Sequence, residues 1–292
     1  MVRKFGVSDV IIYIILAVLA LLCIISILHM IAISFSDNAA AAAGLVGFWP
    51  VRFNTAAYEI LLDNSRFFDA YLITIYRVIL GIAVSLPVQI LVGYAVSKDK
   101  KAFKERGIVM WMMLITMLFS GGLIPTFMVL RAYGMLDTMS VLILPFALSP
   151  FTVLLFMNYF RSIPKSLEEA AAIDGAGTWK TLTLIYIPAA IPIIATITLF
   201  TFVFHFNDYF SGLIYIRTPA LVPLQTFIFR EGISPTDILA ILDPELAAQR
   251  RLVGEMNFEA AKIIISIIPL VIVYPFLQRY FITGIMLGSV KE

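Results

Sequence analysis

Two groups of side chains in this 292-residue sequence could do chemistry. The first is Phe204, His205, Phe206, Asn207, Asp208, Tyr209 and Phe210, a set of polar and aromatic residues inside a long apolar run. Polar groups placed so deep are costly and usually face a cavity or another helix. A carboxylate and an amide among aromatic faces suit sugar rings, which offer C–H faces and hydroxyl edges. On this reading Phe204, Asn207, Asp208 and Tyr209 line a substrate path. The same residues also suit a packing role, in which Asn207 and Asp208 lock helices or pair with a cation such as Arg77. His205 reads more readily as a packed side chain than as a ligand. His29 forms no metal spacing with it, and the one cysteine, Cys23, excludes a disulfide framework or a Cys-rich metal site. No metal or catalytic residue is expected. No GxxxxGK[ST] run cradles a nucleotide, and HExxH and GxSxG are missing too, so a membrane protease or lipase has no motif to rest on.

The second group lies in Arg161–Pro188, RSIPKSLEEAAAIDGAGTWKTLTLIYIP. Ser166 and Glu169 have the spacing of a capping box, in which hydroxyl and carboxylate each take an orphan amide of the first turn. Glu168 and Glu169 sit where a helix dipole favours negative charge. Ala170, Ala171 and Ala172 form helix well and let another surface come close. Gly175 is a natural helix stop in the left-handed conformation. Thr178 is placed to cap a second short helix that runs to Pro188. Together these predict a helix–turn–helix knob. Trp179 could anchor it to the rest of the protein or sit as an interfacial aromatic. The plainer reading is an amphipathic connector.

The composition fixes what must position these residues. The set AVILMFWYC makes up 61% of the chain and charged residues 14%, where soluble domains carry about 25% charge. Mean hydropathy is +0.97. Too few polar side chains exist to cover a water-facing surface, which excludes a soluble enzyme and a disordered chain. The net charge of +2 excludes a strongly basic nucleic-acid binder. Apolar runs of about 20 residues read as membrane-crossing helices. About six are expected: Val10–Ile33, Tyr71–Ser97, Gly107–Leu130, Met139–Phe160, Ala189–Ile216 and Ile263–Phe281. The first is too long for the apolar core of a cleaved signal peptide. Gly121, Gly122 and Pro125 in the third run, and Pro145 and Pro150 in the fourth, mark kinks. Lys98, Lys100, Lys101, Lys104 and Arg106 crowd one short loop. By the positive-inside rule that loop and both termini face the cytoplasm. The chain then reads as one transmembrane domain over 1–292, with a cytoplasmic loop at 161–188 and extracytoplasmic loops at 34–70 and 217–261.

Residue by residue, the knob resembles the EAA loop of binding-protein-dependent ABC importer permeases. That loop runs Glu-Ala-Ala, three residues, Gly, nine residues, Ile-x-Leu-Pro. Here Glu169-Ala170-Ala171 is followed by Gly175 and then by Ile185-Tyr186-Ile187-Pro188, with Ile187 where Leu is usual. Asp174-Gly175-Ala176 and Phe206-Asn207-Asp208-Tyr209 are similar to the carbohydrate-uptake branch. The tail from Tyr274-Pro275-Phe276 to Gly288-Ser289-Val290-Lys291 resembles the smaller permease of maltose-, lipo-oligosaccharide- and alginate-type importers. The resemblance implies an all-α type I importer permease in a bacterial inner membrane. It implies a homologous second permease, two ATPase subunits holding ATP and Mg, and an extracytoplasmic solute-binding protein as partners. Carbohydrate is the implied cargo, with a uronate oligosaccharide as one form of it, and this chain is expected to bind no cofactor itself. Glu168, Glu169, Ala170, Ala171, Asp174, Gly175, Ala176 and Gly177 become ATPase-coupling candidates. The alternatives are an ion-gradient-driven secondary transporter, which leaves the EAA spacing unexplained, and an importer permease for a non-sugar solute.

Overall fold

The computed structural model describes residues 6–233 and 254–289. Among them all regular structure is helical. The expected loop 217–261 lies partly outside the described residues, as do the flanking charges Arg3, Lys4 and Lys291. Among the described residues three helices are long and apolar enough to cross a membrane, in Asp9–Ser34, Ser65–Ser97 and Met256–Phe276. Two bent pairs raise the number to as many as five: Met139–Phe146 with Pro150–Ser162 at 46°, and Thr178–Ala189 with Ile191–Asn207 at 79°. The expected third span is two shorter helices, Arg106–Leu118 and Leu123–Ala132.

One compact unit takes the described residues of Met1–Phe68 and Ile228–Ile268. It contains α1 (Val7–Ser34), α2 (Asn38–Ala42) and α3 (Ala56–Asp63). Asp9 accepts the Gly6 amide at 2.9 Å and so satisfies one orphan donor at the start of α1. The large apolar side chains of α1 between Val10 and Leu28 are exposed. Lipid makes that the ordinary state of a span, because the helix bonds its own backbone. At the other end of α1, the Asn257 amide donates to the carbonyls of Ile33 (2.9 Å) and Ser36 (2.6 Å). Ala32, Ile33, Ala40, Ala41, Val46 and Ala260 close a small core beside it.

The second unit takes Asp69–Phe227 and the described residues from Pro269 onward, and holds every candidate site residue. Its elements are α4 (Ser65–Ser97, which begins in the first unit), α5 (Arg106–Leu118), α6 (Leu123–Ala132), α7 (Pro150–Ser162) and α8 (Lys165–Ile173). There follow α9 (Thr178–Thr181), a π-turn (Leu182–Tyr186), α10 (Ile187–Ala189), α11 (Ile191–Asn207), α12 (Phe210–Tyr215) and the start of α13 (Leu224–Ile233), whose residues from Ile228 onward belong to the first unit. The last helix, α14 (Glu255–Ser289), runs through both units.

The prolines of the third and fourth runs do not kink continuous helices. Pro125 lies in the first turn of α6, Pro145 in the 3-10 turn Leu144–Phe146, and Pro150 opens α7. At these positions the missing N–H has no intrahelical acceptor to lose. Pro87, Pro269 and Pro275 are the prolines inside long helices. Helix α4 packs on α7 and α9–α11 through Ile90, Tyr94, Phe156, Phe160, Leu182, Tyr186, Ala190 and Ile197. It also meets α11 at Gly81, where an added Cβ would stand 2.4 Å from the ring of the buried His205. The missing side chain is what lets that ring fit.

Candidate functional site

The knob forms, with two changes from expectation. Helix α8 begins at Lys165 with Pro164 as its N-cap, and no side chain caps it. Ser166 is therefore already in the first turn, and the Ser166–Glu169 box does not form. Pro164, with φ −57°, starts the turn before Ser166 can. Likewise Gly177 caps α9, and Thr178 is its first helical residue. The stop is as read: Gly175 has φ +75°. Its amide donates to Ala172 O at 3.1 Å, and the Ala176 amide donates to Ala171 O at 2.8 Å. This pair of bonds is the Schellman arrangement, which closes a helix on a left-handed residue.

Most of the knob is solvent-facing. Ile173 is 87% exposed and Trp179 68%, so Trp179 does not anchor the knob within this chain. Glu169, Ala170, Ala172, Asp174 and Gly177 are exposed, Ala176 is half-buried and Ala171 is buried. Glu168 behaves differently from its neighbour. Its Oε1 accepts from Lys98 Nζ at 2.7 Å, and its Oε2 accepts from the Tyr186 hydroxyl at 2.7 Å. The ammonium also lies 4.2 Å from the Tyr94 ring centre and 4.3 Å from that of Tyr186. Burial alone would raise the Glu168 carboxyl, but hydrogen bonds from Lys98 and Tyr186 outweigh it and hold the group below its ordinary value. Burial alone would lower the Lys98 ammonium, and the bond to Glu168 together with the two tyrosines holds it above its ordinary value. Beside this cluster Lys165 pairs with Asp99 at 2.8 Å. Lys98, Asp99, Lys165, Glu168, Glu169 and Tyr186 line a groove of about 580 Å³.

The second candidate group sits where α11 ends. Asp208 leaves the helix in an extended conformation. Arg77 of α4, fully buried, donates from Nη1 to Asp208 O at 3.0 Å and from Nη2 to Oδ2 at 2.5 Å. Oδ1 of the same carboxylate accepts the Ser211 amide at 3.1 Å and so opens α12. The cation pairing left open by the sequence is thus present, and Asp208 is committed to it. Phe204, Asn207 and Tyr209 are exposed, and Phe204 packs on Phe146 at 5.1 Å. Among the described residues an apolar groove of about 760 Å³ is lined by Phe204 with Phe200, Val203, Leu270 and Tyr274, but not by Asn207, Asp208 or Tyr209. His205 is packed, 1% exposed, with no hydrogen-bond partner for either nitrogen among the described residues. The described residues hold no cluster of His, Cys, Asp and Glu fit for a metal ion.

A fold of broken spans with a protruding, glycine-stopped knob can be compared with known proteins. Residues 60–286 match the family described as the binding-protein-dependent transport system inner membrane component. The chain belongs to this family. The permease is 32% identical to the polygalacturonan/rhamnogalacturonan transport system permease protein YtcP of Bacillus subtilis (strain 168), across 99% of each chain. It is 35% identical to Protein LplC of the same organism, over 92% of this chain and 89% of that one. Among solved structures it is similar to a chain of a bacterial ABC transporter involved in the import of the acidic polysaccharide alginate. The TM-score is 0.84 and the identity 33%, over 96% of this chain and 99% of that one. The permease is therefore an all-α, multi-pass inner-membrane protein of the type I importer fold.

Sequence reasoning missed Lys98, Tyr94, Tyr186 and the Asp99–Lys165 pair as parts of the knob's seat. Lys98 counted only toward orientation, and Tyr186 occupies the unspecified position of the Ile-x-Leu-Pro run. Tyr186 closes a π-turn, and a π-turn leaves no mark in residue periodicity, so no signal pointed to its role.

Proposed function

We propose that this permease carries an oligosaccharide across the inner membrane into the cytoplasm, as one transmembrane domain paired with a homologous second permease. Two separate ATPase subunits, holding ATP and Mg, drive it, and an extracytoplasmic solute-binding protein delivers the sugar. Both termini and the knob face the cytoplasm, and loops 34–70 and 217–261 face outside. The observation that carries the coupling part is the knob: a short alanine-rich helix, stopped at Gly175, with Ile173 87% exposed. Apolar side chains left exposed outside the spans fit a protein partner. Glu169, Ala170, Ala172, Asp174 and Gly175 are the surface such a partner meets. The polygalacturonan/rhamnogalacturonan transport of one relative and the import of the acidic polysaccharide alginate by the similar structure support a carbohydrate, and within that class a uronate oligosaccharide.

An ion-gradient-driven transporter is not favoured, since membership of a binding-protein-dependent family accounts for the knob and that class does not. The test is uptake by the reconstituted complex across neutral and uronate oligosaccharides. ATP-dependent uptake of a glycan, lost without the binding protein, is expected. Uptake by the isolated chain driven by a proton gradient alone would overturn the proposal.

A further inference from the structure

Helix α4 carries both of the charged joints described above. Near its middle, Arg77 grips the break between α11 and α12 through Asp208. At its end, Lys98 grips α8 through Glu168 and is enclosed by Tyr94 and Tyr186. The Lys98 side chain is 15% exposed, whereas the neighbouring Lys165–Asp99 pair is 75% and 72% exposed. The Glu168 joint is thus shielded on its Lys98 side, with the Glu168 side chain 39% exposed, while the Lys165 pair is an exposed ion pair of little weight. Arg161 Nε adds a bond to Ser97 O at 3.2 Å. From Arg77 to Lys98 the helix rises by about 31 Å. The π-turn at Leu182–Tyr186 widens one turn and re-aims the residues around it. Tyr186, at its end, reaches Lys98 and Glu168 together.

A knob held only by its flanking chain would swing about Ile163–Pro164 and Gly175–Gly177, and a push on its tip would be absorbed there. We propose that α4 is the rod that carries movement of the knob to the broken fifth span. Lys98, Glu168 and Tyr186 are the positioning residues of its knob-side joint, and Arg77 with Asp208 forms the span-side joint. The adjacent glutamates then divide the work: Glu168 fastens the knob to its own chain, and Glu169 is free to meet the ATPase. This rests on the coupling role proposed above.

The test uses the complete reconstituted transporter and reads sugar transported per ATP hydrolysed, with ATPase retention as a control. Lys98→Met keeps the stem and removes the charge, and Glu168→Gln keeps the shape. Both are expected to retain the ATPase subunits and to lower the transport-to-hydrolysis ratio by at least about fivefold, the lower range of measured couplings. The charge exchange Lys98→Glu with Glu168→Lys is expected to recover much of the loss. Two joints in series give a further signature. Combining Lys98→Met with Asp208→Asn should lower the ratio no more than the worse single change, where independent sites would multiply. Wild-type ratios in Lys98→Met and Glu168→Gln, or multiplied losses in the combination, would overturn the rod. So would loss of assembly in Lys98→Met and in the milder Tyr186→Phe alike, since that marks residues of folding alone. If the unmodified complex shows no ATP-driven uptake, the importer reading itself has failed, which is a separate result.

Discussion

Replacing Asp208 with Asn isolates what the span-side joint contributes to stability. Arg77 is fully buried and, among the described residues, pairs with one carboxylate, that of Asp208, so the change strands a cation among apolar helices. Removing one partner of a buried ion pair costs about 3–5 kcal/mol. Part of the site survives: Nη1 still donates to the main-chain oxygen of residue 208. The asparagine oxygen can keep either the Arg77 bond or the Ser211 bond, not both, which adds about 1 kcal/mol of lost hydrogen bonding. The surviving bond and the lost one are of similar size and offset each other, so the balance stays at about 3–5 kcal/mol. Arg77→Met should cost less, because the carboxylate left behind is 13% exposed and keeps the Ser211 amide. The double change Arg77→Met with Asp208→Asn leaves no stranded charge and should lie within about 1 kcal/mol of the Arg77→Met single. The assay is the apparent melting temperature of the detergent-solubilised complex, where 1 kcal/mol corresponds to about 2–4 °C. If Asp208→Asn melts with wild type, or if the double change sums the two single losses, the argument from a stranded cation is wrong.

Three further outcomes follow from other contacts. Gly81→Val drives a side chain into the His205 ring and should lower the melting temperature through overpacking worth about 1–3 kcal/mol, with Gly81→Ala showing a smaller loss of the same sign. Gly175→Val places a β-branched residue at φ +75°, a strain of about 1–2 kcal/mol; the knob should fray, seen as faster amide exchange at Ala170–Ala176, with ATP-driven uptake lost. The seat of the knob should be insensitive to pH across the neutral range. Glu168 lies below its ordinary 4.5, so its contribution is full above that value and lost as pH falls through the lowered one. Lys98 lies above its ordinary 10.5, so its contribution is full below that value and lost as pH rises through the raised one. The neighbouring pair moves the same way, Lys165 held above its ordinary value by its bond to Asp99 and Asp99 held below its own by its bond to Lys165. Protease sensitivity of residues 165–173 should match at about pH 5 and pH 9, and a midpoint near neutrality would contradict this assignment.

The spans were legible because lipid imposes a simple rule, and α1, α4 and α14 follow the apolar runs with the termini shifted. The breaks were half legible. Gly122 caps a new helix and Pro125 lies in its first turn, after α5 has ended at Leu118, but nothing in their identity separates a kink from a new helix. That depends on whether the preceding turn keeps its bonds, and after Phe119, whose amide still donates to Ile115 O, it does not. The Arg77–Asp208 pair was legible as one of two uses for a deep carboxylate, because a deep arginine needs an acceptor somewhere. The glycine stop was legible from Gly175 alone. The start of the same helix was not, because Ser166 and Pro164 both open helices and the sequence does not rank them.

That small difference at the start of α8 settles the division between the glutamates. Successive helical residues point about 100° apart, so Glu168 and Glu169 cannot both face the same neighbour. With the helix begun at Lys165, the face carrying Glu168 and Ala171 turns inward, and these are the least exposed residues between Lys165 and Gly175. Had Ser166 and Glu169 closed a capping box, the Glu169 carboxylate would have been spent on its own backbone. The proline start leaves it in solvent instead. A proline before the helix, a carboxylate drawn to Lys98 and a left-handed glycine after the helix therefore act together. They fix which face of a nine-residue helix the permease keeps for itself and which it offers outward.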